Sequence, residues 1–234
     1  MIKLDSILNT NFVIYQNDDY FKFSTDGVLL ADFVSVKQSA KKIIDVGSGT
    51  GIISILMTTK TNNIIDSIEI QPELCHLFQK TLVENNLSNK INIINSDITI
   101  YAKKNLNLYD IVICNPPYYS GKENQTNQKS IARHEKKLDI ESLLESSRKI
   151  LKDHGSLFII YNCINFQKVL KLVDKYSFSI RRIRFIHYDC TKKASLFMIE
   201  CIKNGNTQTE IEKPMILYQT ENNKKTQEYE KKFS

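Results

Sequence analysis

From Lys42 onward, short runs of β-branched and apolar residues alternate with stretches whose apolar positions recur at helical spacing. The runs fall at 42–46, 64–70, 91–95, 110–114 and 156–161. Helical patterns lie between and after them at 52–57, 72–86, 140–151 and 165–176, with Pro72 at the first turn of the second. Strand and helix in strict alternation predict βαβ units, hence a parallel sheet with helices on both faces. The last third breaks this rhythm. Two strand-like runs, 178–187 and 195–202, are separated by a polar turn at 191–193, which predicts an antiparallel pair at one edge. Ahead of the first strand, 26–36 has the pattern of an amphipathic helix, and 12–23 reads as a small hairpin turning at 17–19. A late strand is expected at 214–218. Residues 221–234 are polar and nearly free of aliphatics, so they read as a mobile tail.

With 234 residues the chain has room for one α/β domain and short additions. The expected organisation is an N-terminal hairpin and helix (1–40) packed on a core domain (41–220), followed by the tail. Thirty-two Lys plus Arg against 26 Asp plus Glu leave a net charge of +6, which favours encounter with a polyanion. The five cysteines show no CxxC spacing and no clustered histidines, so neither a zinc site nor a disulfide framework is expected. No apolar run reaches the roughly 18 residues of a membrane span, and the first residues lack the apolar core of a signal peptide. A cytoplasmic protein without a metal is expected, with a monomer favoured.

The densest signal is Asp45-Val46-Gly47-Ser48-Gly49-Thr50-Gly51, which ends a predicted strand and opens a predicted helix. Glycines there let backbone N–H groups approach a ligand and remove the wall a Cβ would raise. The spacing is GxGxG rather than GxGxxG, which favours a ligand without a pyrophosphate. Glu69 closes the next strand, where a carboxylate can accept from both hydroxyls of a ribose. Asp97, just past the third strand, is placed either to accept from an adenine amino group or to cap a helix beginning at Ile98. Ile70 and Ile98, next in sequence to these acids, are counted with the same nucleoside pocket. These residues resemble the class I S-adenosylmethionine methyltransferases over 42–157. The resemblance implies a Rossmann-like α/β fold with a mostly parallel, seven-stranded sheet and S-adenosylmethionine as cofactor.

The fourth strand runs into Asn115-Pro116-Pro117-Tyr118. In an open α/β sheet the carboxyl ends of the strands flank the ligand crevice, so this tetrapeptide is expected to face the glycine loop. An amine conjugated to an aromatic ring is a poor nucleophile because its lone pair is delocalised. The Asn115 side-chain oxygen and the Pro116 carbonyl can each accept one N–H, which localises the lone pair and aims it. Two prolines stiffen the loop, and Tyr118 offers a flat face for a flipped-out base. The segment resembles the NPPY signature of amino-methyltransferases. Within that signature the target stays open: adenine N6 in DNA or RNA, guanine N2 in rRNA, or a protein glutamine.

No target-recognition or N-terminal helical domain is visible, which leaves a compact core acting on structured RNA as the expectation. Residues 21–31 (FKFSTDGVLLA) and 131–135 (IARHE) make the chain similar to the bacterial tRNA1(Val) adenine-N6 methyltransferases. That resemblance implies adenosine 37, beside the anticodon, as target. It places Ser24, Thr25 and Asp26 at the back wall of the cofactor pocket and Arg133 over the substrate; an N-cap cluster is the alternative for the first three. Lys122 in the polar 119–138 loop is a candidate phosphate contact. Arg181, Arg182 and Arg184, interleaved with Phe185, His187 and Tyr188, suit either single-stranded nucleic acid or an exposed edge strand. A reading from another class is a non-catalytic RNA-binding module.

Overall fold

The computed structural model describes residues 2–7, 10–17, 25–118 and 138–231. The strands are β1 (Ile2–Ser6), β2 (Val13–Asn17), β3 (Ile43–Val46), β4 (Ile65–Glu69), β5 (Ile91–Asn95), β6 (Tyr109–Cys114), β7 (Leu151–Asn162), β8 (Phe178–His187), β9 (Ala194–Lys203), β10 (Glu210–Ile211) and β11 (Met215–Ile216). The helices are α1 (Thr25–Phe33), α2 (Ile52–Met57), α3 (Pro72–Glu84), α4 (Ile98–Lys104), α5 (Ile140–Ile150), α6 (Phe166–Lys175) and α7 (Gln227–Lys231).

Seven long strands form the central sheet in the order β8-β9-β7-β6-β3-β4-β5, with the short β10 and β11 added to the outer edge of β8. The five strands β3 to β7 run parallel, and β9 is antiparallel to both of its neighbours, β7 and β8. All four residues of β3 are buried because both faces of the sheet are covered. Ile43 points into a core shared with α1, α2 and α3, and Ile44 into a second core shared with α4, α5 and α6. The chain leaves β3 for β4 on one side, while β6 lies on the other. The strand order therefore reverses between β3 and β6, the crevice where ligands bind in open α/β sheets.

Strand β2 pairs antiparallel with β1; the hairpin expected at 12–23, with its turn at 17–19, lies outside the described residues from position 18 onward. The other edge of β2 is satisfied by side chains of α3, where Asn85 accepts from Val13 N–H at 2.9 Å and donates to Val13 O at 2.7 Å. Thr81 Oγ1, one turn earlier, accepts from Tyr15 N–H at 3.0 Å. Two expectations are corrected, the first being that residues 221–231 form a loose tail. They turn back at a bridge between Tyr218 and Lys225, and Tyr229 on α7 is 2 % exposed.

The second correction concerns Arg182 and Arg184. Arg182 donates to buried Glu200 at 2.5 Å and to Glu212 at 2.9 Å, and its guanidinium lies 4.2 Å from the Phe33 ring centroid. Arg184 binds Glu228 and the Lys213 carbonyl. Both guanidinium groups join the C-terminal segment to β8 instead of facing a ligand. Removing Arg182 leaves the Glu200 carboxylate, 1 % exposed, without its main counter-charge. Arg182→Ala is expected to cost roughly 3–5 kcal/mol in urea unfolding. Arg181→Ala, at a side chain 45 % exposed and only 3.4 Å from Glu200, should change stability by no more than about 0.5 kcal/mol.

Candidate active site

Val46 and Cys114 sit opposite one another in the parallel β3–β6 ladder, so Gly47 and Asn115 leave the sheet side by side. After β3 the chain turns sharply. Gly47 and Ser48 N–H both donate to Ile68 O, at 2.9 and 3.2 Å, and Gly51 N–H donates to Ser48 O at 2.8 Å. Gly51 has φ +94°, and a Cβ there would lie 2.0 Å from the Phe78 ring, so only glycine permits α2 to start at that point. Gly49 has φ +56°, and a Cβ there would meet nothing within 4 Å. The space over this turn is open, as a ligand cradle requires.

Glu69, 5 % exposed, ends β4 beside the loop. Its carboxylate accepts from Gly49 N–H at 2.9 Å and from Gln71 N–H at 3.0 Å, which ties the glycine turn to the neighbouring strand end. A cleft of about 370 Å³ opens here. Gly47, Glu69, Ile70, Asp97 and Ile98 line one side, and Leu138, Asp139 and Ser142 at the start of α5 line the other. Asp97 caps α4 by accepting from Thr99 N–H and Thr99 Oγ1, each at 2.7 Å, and still faces the cleft. The capping reading of Asp97 is thus observed, and its place on the cleft wall is compatible with the adenine contact.

Asp45 lies beneath the loop, fully buried. Its Oδ2 accepts from Ser54 Oγ at 2.7 Å, and Ser54 Oγ is 2.7 Å from Ser67 Oγ. Its Oδ1 and the Ser48 hydroxyl are buried without a hydrogen-bond partner. Burial, assisted by the Glu69 charge and opposed by the Ser54 hydrogen bond, pushes the Asp45 carboxyl up to about 7. Two buried polar atoms without partners beside an open glycine turn suit a ligand that brings polar groups of its own.

In the tetrapeptide, the Tyr118 hydroxyl donates to Asn115 Oδ1 at 3.0 Å, and its ring meets Tyr161 edge-on, with centroids 5.4 Å apart. Burial, together with the negative charge of Asp26, raises its pKa well above the usual tyrosine range. The first turn of α1 thus lies against the Asn-Pro-Pro-Tyr loop. Gly27 sets its depth, since a Cβ there would stand 2.9 Å from Ile52 Cγ2 at the start of α2.

The structure brings together Thr25, Asp26, Asp45, the glycine loop, Glu69, Ile70, Asp97, Ile98 and 115–118 at the carboxyl edge of the sheet. Ser24, Lys122 and Arg133 lie outside the described residues. Leu138, Asp139 and Ser142 were missed by sequence reasoning. The available signal was the N-cap Asp139, which accepts from Glu141 and Ser142 N–H. Among the described residues no group of three or more His, Cys, Asp or Glu is arranged to hold a metal, and no helix is long and apolar enough to cross a membrane.

The methyltransferase small domain pattern matches residues 23–180. A tRNA1(Val) (adenine(37)-N6)-methyltransferase of Aliivibrio salmonicida is 32% identical over 76% of this chain and 75% of its own. One of the same name from Flavobacterium psychrophilum is 25% identical over 93% of each chain. Among solved structures, a predicted O-methyltransferase from Agrobacterium tumefaciens superposes with a TM-score of 0.72 at 18% identity, covering 89% of this chain and 95% of that one. A tRNA m1G37 methyltransferase of M. jannaschii gives 0.62 at 17% identity over 88% and 55%. The likeness to the two solved structures establishes the class I methyltransferase fold.

The buried Asp45 generates a pH signature. The folded chain keeps that proton up to about pH 7, whereas an unfolded aspartate releases it near 4. The folded state thus binds the extra proton, and stability from this group falls as pH rises from about 4 to about 7. Urea unfolding at pH 5 and pH 8 should show Asp45→Asn losing less stability across that interval than the native chain. The gap should be on the order of a few kcal/mol.

Proposed function

This chain belongs to the methyltransferase small domain family, and from that premise we propose that it transfers a methyl group from S-adenosylmethionine to N6 of adenosine 37 in tRNA1(Val). The observation that carries the reading is the side-by-side exit of Gly47 and Asn115 from adjacent parallel strands, which sets a nucleoside cradle against an amine-gripping loop. The family and the fold imply S-adenosylmethionine as the methyl donor. Bound there, it supplies an electrophilic methyl on a sulfonium. The residues present fit it: Gly47 and Gly49 leave backbone room, Gly51 lets the turn close against Phe78, and Glu69 with Ile70 and Asp97 with Ile98 wall the nucleoside end. Asp45 and Ser48 offer buried atoms that still need partners, and Thr25 and Asp26 are assigned to the back wall.

Asn115 Oδ1 and the Pro116 carbonyl accept the two N–H bonds of the target amine, so its lone pair points out of the base plane. Pro117 fixes the direction of the loop, and Tyr118 stacks on the extruded base. The proton displaced when the N–C bond forms passes to water, because the methylated ammonium is strongly acidic and needs no strong base. Lys122, Arg133 and Arg181 are assigned to phosphate contacts along the anticodon stem. The chain acts as a monomer in the cytoplasm, where this RNA is found.

Incubation with methyl-labelled S-adenosylmethionine and unmodified tRNA1(Val) should place the label on adenosine 37, read by nuclease mapping and mass spectrometry. Asn115→Ala should lower turnover by about a hundredfold or more and leave cofactor affinity within roughly threefold. Transfer to ribosomes or release factors with none to any tRNA would overturn the substrate.

A further inference from the structure

We propose that the Tyr161 hydroxyl contacts the target base, donating to a ring nitrogen that flanks the amine gripped by the Asn-Pro-Pro-Tyr loop. This rests on the reading of that loop as the acceptor side of an adenine-N6 methyl transfer. Tyr161 lies near the end of β7, and the parallel β6–β7 ladder sets Ile159 opposite Cys114. Two residues further along both chains, that register puts Tyr161 level with Pro116. Alternate residues of a strand share a face, so Tyr161 points with Leu157 and Ile159 into the core shared with α4, α5 and α6. There its ring meets Tyr118 edge-on, with centroids 5.4 Å apart and planes at 86°.

That packing uses the ring alone. Tyr161 is 4 % exposed, yet its hydroxyl makes no hydrogen bond with any described residue. The tyrosines nearest to it in the same core differ: Tyr118 donates to Asn115 and Tyr109 to Asp66. A buried tyrosine hydroxyl ordinarily has a polar partner, and one left unpaired lowers stability. A phenylalanine would give Tyr118 the same edge contact without that penalty. The hydroxyl therefore serves a group that the chain itself does not supply. Burial and the Asp139 charge raise its pKa, so it stays a neutral donor at physiological pH.

The chemistry of the base supplies the missing partner. Asn115 Oδ1 and the Pro116 carbonyl take the two N–H groups of the amine and leave the ring atoms beside it unread. In adenine those neighbours are N1 on one edge and N7 on the other, and both are acceptors. A base stacked on Tyr118 is parallel to that ring and hence nearly perpendicular to Tyr161. Tyr161 thus offers the stack no second face, and its one polar atom is the hydroxyl. Two carbonyl oxygens and one hydroxyl would then read the amine together with an adjoining ring nitrogen.

The test uses the full chain and Tyr161→Phe, which keeps the contact with Tyr118 and removes the hydroxyl alone. Because that hydroxyl is unpaired in the free chain, the melting temperature should hold or rise by up to about 3 °C. Calorimetry should give a dissociation constant for S-adenosylmethionine within about twofold of the native one. On tRNA1(Val), kcat/KM should fall roughly three- to tenfold, as expected for one lost hydrogen bond to a neutral acceptor. Anticodon stem-loops carrying 1-deazaadenosine or 7-deazaadenosine at position 37 identify that acceptor. On one of the two, the native chain should lose roughly three- to tenfold more than Tyr161→Phe does. An unchanged kcat/KM, a weakened cofactor, a clearly lowered melting temperature, or equal losses by both proteins on both analogues overturns the inference and leaves the substrate reading standing. A native chain that methylates no adenine removes the substrate reading, and the inference falls with it.

Discussion

The register of β3 against β6 sets where chemistry can occur, because it brings Gly47 and Asn115 out of the sheet together. A slip of one residue would turn every side chain of β3 to the opposite face, and a slip of two would separate the turns by about 6.6 Å. Ile43, Ile44 and Val46 are buried on both faces and discriminate poorly between registers. Asp45 discriminates well. It faces Ser54 of α2 and lies opposite Ser67 in β4, and a one-residue slip would carry a buried carboxylate to the α4–α5 face, away from that hydroxyl pair. The polar trio under the loop thus specifies the alignment that the apolar residues alone leave loose.

That specificity has a cost in stability. A carboxyl pushed up by burial and left with one oxygen unpaired is a poor choice for a core. It is tolerated because Phe78 and the isoleucines of α2 and β3 bury a continuous apolar layer around it. The same economy appears at Glu69, whose two oxygens hold Gly49 and Gln71 N–H and so rigidify the loop before any ligand is engaged. Rigid backbone with unsatisfied buried atoms is the signature of a site that is completed by binding.

The parallel core and the two turns were legible in the sequence because each rests on local information: β-branched runs, glycines at a strand end, and two prolines after an asparagine. What failed was non-local. β1 carries exposed side chains at four of its five positions, so Ile2–Ser6 has no buried-face pattern to announce it as the partner of β2. Arg182 and Arg184 looked like nucleic-acid ligands because their carboxylate partners lie far along the chain. Glu200 is set opposite Arg182 only by the β8–β9 ladder, and Glu212 and Glu228 come from the segment that follows. Composition alone condemned residues 221–231 to disorder, since one tyrosine among lysines and glutamates carries no periodic signal. That tyrosine is nevertheless buried, and the arginines are what anchor its segment.

The hydrogen bond from Tyr118 to Asn115 bears on how a base would enter. Asn115 Oδ1 is the acceptor a target amine needs, and without substrate it is occupied by the hydroxyl of the residue assigned to stack on the base. A tyrosine hydroxyl has one proton to donate, so a target amine must displace it to reach the asparagine. Docking of the base edge on Asn115 and of its face on Tyr118 would then be coupled through a single torsion.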